Sequence, residues 1–317
     1  MVHIWILPKK ERGSIMPART KKKSIQELNL IDDFLFNEVL SDKDNGDLVA
    51  KLILSVIMDH EIENVSLKIQ NVITTGNPED HAIRLDVYIE EKYGDDGEKT
   101  RVYDVEVQGE HGMKLMPGRS RYYQALVDSK HLPSGAGYDQ MLPLWIIIIT
   151  PKDIFEKDRL YYTFENRCIE EPELSLNDGA RRIFLNASGT VGQQEELSQL
   201  LKYIVDSNSY NALSETTQKI HEIVEKVRNR PDMGVKYMKA WEREQFIREE
   251  GLEEGIKQGI EQGIEQGIIL VVKNLIMRNF DLSQISELTG LSLEKLREIK
   301  AEMNSDQANL EAVGSIQ

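Results

Sequence analysis

From residue 83 to residue 108, apolar and polar side chains alternate with a period of two on both sides of a polar cluster, YGDDGEKT. That pattern predicts a β-hairpin, two strands joined by a turn. Successive side chains on a strand point to opposite faces. Leu85, Val87 and Ile89 therefore share one face, and Arg84, Asp86 and Tyr88 the other. In the second strand Tyr103, Val105 and Val107 fall together, opposite Asp104, Glu106 and Gln108. A turn centred on Asp96, within Asp95-Asp96-Gly97, sets the register, with Asp86 facing Glu106 and Arg84 facing Gln108.

Before the hairpin the apolar period lengthens to that of a helix. Ile25, Leu28, Ile31, Leu35 and Val39 follow Ser24, a cap with Glu27 as its capping-box partner. SDKDNGD breaks this helix, and a second starts from Asp47 with Leu48, Leu52, Ile53, Val56 and Ile57 on its apolar side. VSLKIQNVITTG at 65–76 reads as a strand. After the hairpin a Gly/Pro loop leads to a helix expected over about 119–130, then PLWIIIIT at 143–150 reads as a fully buried strand. RLYYTFENRC and ARRIFLNAS predict two more strands, and QEELSQLLKYIVD and LSETTQKIHEIVEKVRN two more helices. Helices, a hairpin and interleaved strands in this order make an α/β or α+β core around a mixed sheet.

The C-terminal third is patterned differently. Gly251, Gly255, Gly259, Gly263 and Gly267 recur every four residues, each followed by an isoleucine or leucine. On a helix these form a glycine strip beside an apolar strip, which permits close approach of a partner helix. Each interior glycine costs roughly 0.5–1 kcal/mol relative to alanine. The segment is therefore either a self-association helix or a fraying linker. Beyond it, Asp281 and Ser292 cap two short helices around Thr289-Gly290, a helix-turn-helix outline. The second helix offers few groups for base edges, so a packing or dimerisation module is favoured over a DNA reader.

Composition narrows the class. The chain has 317 residues, 40% hydrophobic and 29% charged, with a formal net charge of −15. No apolar run approaches the ~20 residues of a membrane span. One cysteine, Cys168, permits no intrachain disulfide and fits a reducing cytoplasm. Such acidity argues against non-specific DNA affinity, which runs on Lys and Arg. Nucleic-acid chemistry here needs a local basic patch or a metal. Residues 1–23 are basic and irregular and are expected to be a solvated tail, with Met16 an alternative start.

The hairpin carries the candidate chemistry. Directly opposed strand side chains have Cβ atoms roughly 5 Å apart, and like charges there repel. Asp86 and Glu106 therefore call for a proton or a cation between them. A hard divalent ion such as Mg²⁺ suits oxygen ligands. Asp32, Asp33 and Glu38 lie on the first helix, and an acid there, Glu38 among them, either reaches that ion or lines a solvated face. Arg119 and Arg121 stand near a helix start, where backbone N–H groups attract phosphate. Ordinary surface pairing is the equal alternative for both. His81 and His111 flank the hairpin in sequence; a loop histidine is more often neither ligand nor catalyst.

RLDVYIEE…VYDVEVQ, then RSRYYQALVD, LWIIIITPKDIF and YYTFENRC…LNDGARRIFLNA, with DDFLFNEVLSD ahead of them, resemble the recombination-promoting nuclease and transposase family of the PD-(D/E)XK nuclease superfamily. The resemblance covers roughly 27–190 and implies a restriction-endonuclease-like α/β core, with a mixed β-sheet flanked by helices. It implies that Asp86 is the strand acid and that Glu106 and Gln108 form an E-x-Q version of the superfamily's E-x-K pair. Asp86 and Glu106 would then hold Mg²⁺, or Mn²⁺ in its place, for cleavage of DNA. Gln108 stands where a lysine is usual and carries no charge; Arg84, its cross-strand neighbour, is the nearest cation by register. Asn37 stands where a lysine is common on the first helix.

The expected division is a basic tail at 1–23, a nuclease-like domain at 24–190, a helical extension at 191–250, the Gly-Ile repeat at 251–270, a helix-turn-helix-like module at 271–303 and an irregular tail at 304–317. Two functions follow. One is a Mg²⁺-dependent DNA endonuclease promoting recombination or mobile-element movement. The other is a catalytically weak nuclease-fold protein acting as an oligomer, or as a DNA-binding or interaction module, through its C-terminal region. Either is expected to be cytoplasmic.

Overall fold

The computed structural model describes residues 22–314 apart from 63, 74–82, 95–96, 111, 133 and 193, with the backbone alone at 70–73, 83–85 and 304–314. His81, His111, the turn centre at Asp95 and Asp96, the Arg84 side chain and the tail through residue 21 lie outside the described residues. The chain divides into two compact units, Met1–Ala240 and Trp241–Gln317.

The first unit is built on one six-stranded mixed sheet. Its strands are β1 (Asn64–Ile73), β2 (Ile83–Tyr93), β3 (Lys99–Val107), β4 (Leu144–Thr150), β5 (Tyr161–Phe164) and β6 (Ala180–Asn186), in the order β1-β2-β3-β4-β6-β5. The first three run antiparallel, β3, β4 and β6 run parallel, and β5 closes the edge antiparallel to β6. The β4 run LWIIIIT is apolar throughout because both faces are covered, and Ile146, Ile147, Ile148 and Ile149 are all fully buried.

On one face, Val87, Ile89, Tyr103, Val105, Ile147 and Leu185 pack against α1 (Asp33–Leu40), α2 (Gly46–Met58), α4 (Glu195–Val205) and α5 (Glu215–Arg228). On the other, Tyr88, Val102, Ile146, Ile148 and Phe184 pack against Met116, Tyr123, Leu126 and Val127 of α3 (Met116–His131). Burying each such side chain contributes about 1.5–3 kcal/mol, so both layers stabilise the sheet.

The first expected helix is interrupted. Ser24 and Glu27 do form a capping box, but only around a 3-10 turn at Ile25–Glu27, and α1 starts anew at Asp33. The backbone between is claimed by distant groups. Leu30 N donates to Ser207 Oγ at 2.9 Å, and Ile31 N to the Ile204 carbonyl at 2.9 Å. Buried Arg228 donates to the carbonyls of Leu28 and Ser207 and so pins the same segment. Tertiary partners thus override helical periodicity. The turn into α2 needs Gly46, because a Cβ there would sit 2.1 Å from the Leu40 carbonyl oxygen. Leu48, expected on the apolar side of α2, is exposed at 46%.

α6 (Met233–Met277) takes in the whole Gly-Ile repeat, so that stretch is helical. In the second unit, α7 (Leu282–Thr289) is capped by Asp281 and ends on Gly290 in the left-handed region, at φ 74°. α8 (Leu293–Gly314) follows, with Ser292 Oγ accepting from Lys295 N at 3.2 Å. Val272, Ile285, Leu296 and Ile299 form a small core of their own. α8 continues past residue 303, where a tail without regular structure was expected. Among the described residues no helix is long and apolar enough to cross a membrane.

Candidate active site

The β2–β3 ladder runs from Tyr93↔Lys99 to Val87↔Val105, the register that the sequence pattern gives. There the two strands stop exchanging backbone hydrogen bonds, although both continue. Side chains take over. Asp86 N donates to Glu106 Oε1 at 2.9 Å, and the Asp86 carboxyl accepts from the backbone of Val107. The two acids therefore lock the parting strands to each other. Past them, Gln108 N turns to the Ile149 carbonyl of β4 at 2.9 Å. The expected extension of the ladder to Arg84 opposite Gln108 does not form: the pairing ends at Val87↔Val105, while β3 stays paired with β4 as far as Val107.

This end of the sheet is crowded with carboxyls. Asp86, Asp104 and Glu106 project from the α3 face and are 9%, 0% and 3% exposed. Asp33, at the start of α1, reaches in from the rim and hydrogen-bonds the Asp86 carboxyl. Two carboxyls share such a bond only if one holds a proton. Burial first, then the charges of Glu106 and Asp33, push the Asp86 carboxyl up to about 9. Burial and Asp104 raise Glu106 well above the usual range, against the pull of Arg119. Asp104 is raised well above its range by burial and by Asp86, and neither of its oxygens has a hydrogen-bond partner.

One cation answers this cluster from α3. Arg119 Nη1 donates to Gln108 Oε1 at 2.8 Å, and Nη2 stands 3.7 Å from Glu106 Oε2. The guanidinium also bonds the Tyr123 hydroxyl and lies over that ring, 5.2 Å from its centroid. α3 starts at Met116, earlier than the expected 119, since a 3-10 turn at Met113–Leu115 and Pro117 lead into it. Arg119 therefore leaves from the first turn of the helix rather than its tip. Arg121, two residues on, is exposed. Glu38 pairs instead with Arg230 and, at 2.9 Å, with Lys236. The α1 acid whose charge the site feels is Asp33. Asn37 is buried and bonds Asp33 through its amide.

Asp86, Glu106, Gln108 and Arg119 are thus brought together; Glu38 and Arg121 are not among them. Asp33 is the first-helix acid that reaches the site, and Asp104 and Tyr123 are the additions. The alternation that put Asp104 on the face of Glu106 was the signal for it; Tyr123, and which of the helix acids arrives, depend on how helices pack. Among the described residues no three or more His, Cys, Asp or Glu side chains converge closely enough to enclose an ion by themselves. The set still suits a hard cation: every donor is an oxygen, the acids are held far from their ordinary protonation, and Asp104 keeps two bare oxygens beside them.

Residues 30–247 match the family model of the PD-(D/E)XK nuclease family transposases. The chain belongs to that family. No curated protein and no solved structure matches the chain. The mixed sheet with helices on both faces is the restriction-endonuclease-like α/β fold of PD-(D/E)XK proteins. Membership gives this nuclease-family protein a nuclease or transposase-like role, for which DNA is the substrate class, and nucleases of its kind generally use divalent metals.

Proposed function

We propose that the protein is a metal-dependent DNA endonuclease that hydrolyses phosphodiester bonds and promotes recombination or mobile-element movement in the cytoplasm. The observation that carries this reading is the lock between Asp86 and Glu106 at the point where β2 and β3 part. It presents two carboxylates to one space, inside a cluster that repels itself unless protonated or metallated. Mg²⁺ fits best, and Mn²⁺ would substitute, because Mg²⁺ is commonly held by one or two carboxylates and completes its shell with waters and substrate oxygens. When bound, the ion supplies a water of lowered pKa and a Lewis acid at the phosphate.

The chain's own residues do the rest. Asp86 and Glu106 hold the ion, Asp33 hydrogen-bonds the Asp86 carboxyl, and Asp104 leaves two oxygens without hydrogen-bond partners beside them. Gln108 orients water by hydrogen bonding; an amide carries no charge and is no base, so the rate suffers relative to a lysine. Purified protein is expected to nick DNA with Mg²⁺ or Mn²⁺, and Asp86→Ala or Glu106→Ala to lower the rate by more than ~10²-fold. Equal cutting by wild type and Asp86→Ala would sink the site.

A second reading, an oligomeric interaction or DNA-binding protein of weak or absent activity, is favoured by the repeat on α6. Ile256, Ile260 and Ile264 are 42%, 57% and 58% exposed, and a Cβ added at Gly255, Gly259 or Gly263 would meet open space. Such a strip suits a second copy of the same helix. Gly255→Leu, Gly259→Leu and Gly263→Leu combined should reduce the mass seen by light scattering. An unchanged mass would remove the strip as the contact.

A further inference from the structure

We propose that Arg119 provides the positive charge that Gln108 cannot, by gripping the phosphate that is cut; the inference rests on the endonuclease reading above. Charge balance motivates it. One divalent ion on Asp86 and Glu106 only balances those two carboxylates, so the ion leaves no net positive charge for an incoming phosphate. A phosphodiester brings a negative charge, and more develops as water attacks, so a fixed cation must meet it. Among the described residues, the cation whose charge reaches Asp86, Asp104 and Glu106 is Arg119.

Geometry supports the assignment. Nη1 is 2.8 Å from Gln108 Oε1, and Nη2 is 3.7 Å from Glu106 Oε2, so the guanidinium spans both members of the E-x-Q pair. Tyr123 bonds the guanidinium and carries it on its ring, and Met116 Sδ lies 3.3 Å from Nη1, so the fork is fixed before substrate arrives. Its side chain remains 39% exposed, while that of Glu106 is 4% exposed. The Arg119 side chain thus touches the acid cluster and still reaches solvent, from which a DNA strand would approach. A planar fork matches phosphate oxygens in a way an ammonium does not.

The arrangement also divides the work. Because the Gln108 carbonyl oxygen accepts from Arg119, its amide N–H₂ is turned away, donating to the Gly109 carbonyl at 3.3 Å. Arg119 thereby fixes the orientation of the Gln108 amide. Charge comes from α3 and orientation from β3, where one lysine would combine them.

Arg119→Gln and Arg119→Lys test this with two readouts. The first is binding of a duplex to the full chain in Ca²⁺, over a salt series. Neutralising one phosphate contact changes the slope of log K against log salt by about one. Arg119→Gln should lose that increment, and Arg119→Lys should keep it. The second is Mn²⁺ affinity by calorimetry, which should hold or rise in Arg119→Gln because a cation beside the carboxylates has gone. Cleavage should fall by ~10²-fold or more and should recover in part in the double variant Arg119→Gln/Gln108→Lys.

A salt slope unchanged in Arg119→Gln, at wild-type melting temperature, would overturn the inference. So would loss of Mn²⁺ affinity and of the fold together, which would make Arg119 structural. A wild type that binds duplex without cutting it would instead overturn the endonuclease reading. The salt slope would still decide the role of Arg119.

Discussion

Glu91 and Asp104 lie on the two strands of one hairpin, and both are buried, at 4% and 0% exposure. Their surroundings are opposite. The Tyr103 hydroxyl donates to Glu91 Oε2 at 2.6 Å, and Arg101 Nη1 lies 3.7 Å from the same oxygen while donating to Tyr103 at 3.3 Å. Arg101 is in turn stacked over Tyr93 and Trp145, at 4.7 and 4.6 Å. The Asp104 carboxyl has no hydrogen-bond partner, and its neighbours Asp86 and Glu106 are acids. A buried charge that is paired and hydrogen-bonded serves the fold, whereas one left among like charges awaits something from outside. Both clusters contain an arginine and a tyrosine. What separates them is the ratio of acids to cations.

The largest expected effect that would break this contrast is on stability against pH. Burial and the charges of Glu106 and Asp33 push the Asp86 carboxyl up to about 9 in the folded chain, and burial raises Asp104 and Glu106 as well. A carboxyl raised on folding binds more protons in the native state, so stability falls as pH climbs from its unfolded value, ~4, through its folded one. In EDTA, the free energy of unfolding should therefore drop by more than ~3 kcal/mol between pH 5 and pH 9, given ~1.4 kcal/mol per unit. Asp86→Asn or Asp104→Asn should blunt the drop, and saturating Mg²⁺ should flatten it by binding only the folded state. A pH-independent melting temperature in EDTA would show that the acid cluster is already satisfied.

The smaller effect sharpens the other half. Glu91→Leu removes the acceptor of the Tyr103 hydroxyl and the counter-charge of Arg101, and should cost about 1–3 kcal/mol in urea unfolding. Mn²⁺ affinity and the pH slope should stay as they are. A change in metal affinity without a change in stability would erase the distinction between the two carboxylates.

Much of this hairpin was legible in the sequence because its determinants are local. Alternation from Arg84 to Gln108 fixed the faces, and the turn cluster fixed the register that the ladder shows. The LWIIIIT run told of a strand covered on both sides for the same reason. Long-range capture was not legible. Nothing near Leu30 announces that Ser207 will take its N–H, which ends the helical pattern started at Ser24. Glu38 has the spacing of a site acid, but Arg230 and Lys236, far along the chain, claim it. Arg119 was readable only as one of two arginines near a helix start; its bond to Gln108 depends on where α3 lands on the sheet.

The sheet keeps its apolar contacts and its chemistry in different places. Ile146 to Ile149 hold both helical layers, while the acids sit where β2 and β3 part, tied to each other rather than to the core. Selection can therefore act on the two separately. On the endonuclease reading, drift at Asp86, Glu106 or Gln108 would silence the catalyst while the apolar contacts of both helical layers remain, at the cost of the Asp86–Glu106 tie between the strands. Such a lineage could pass from a cutting protein to one that only binds without crossing an unfolded intermediate.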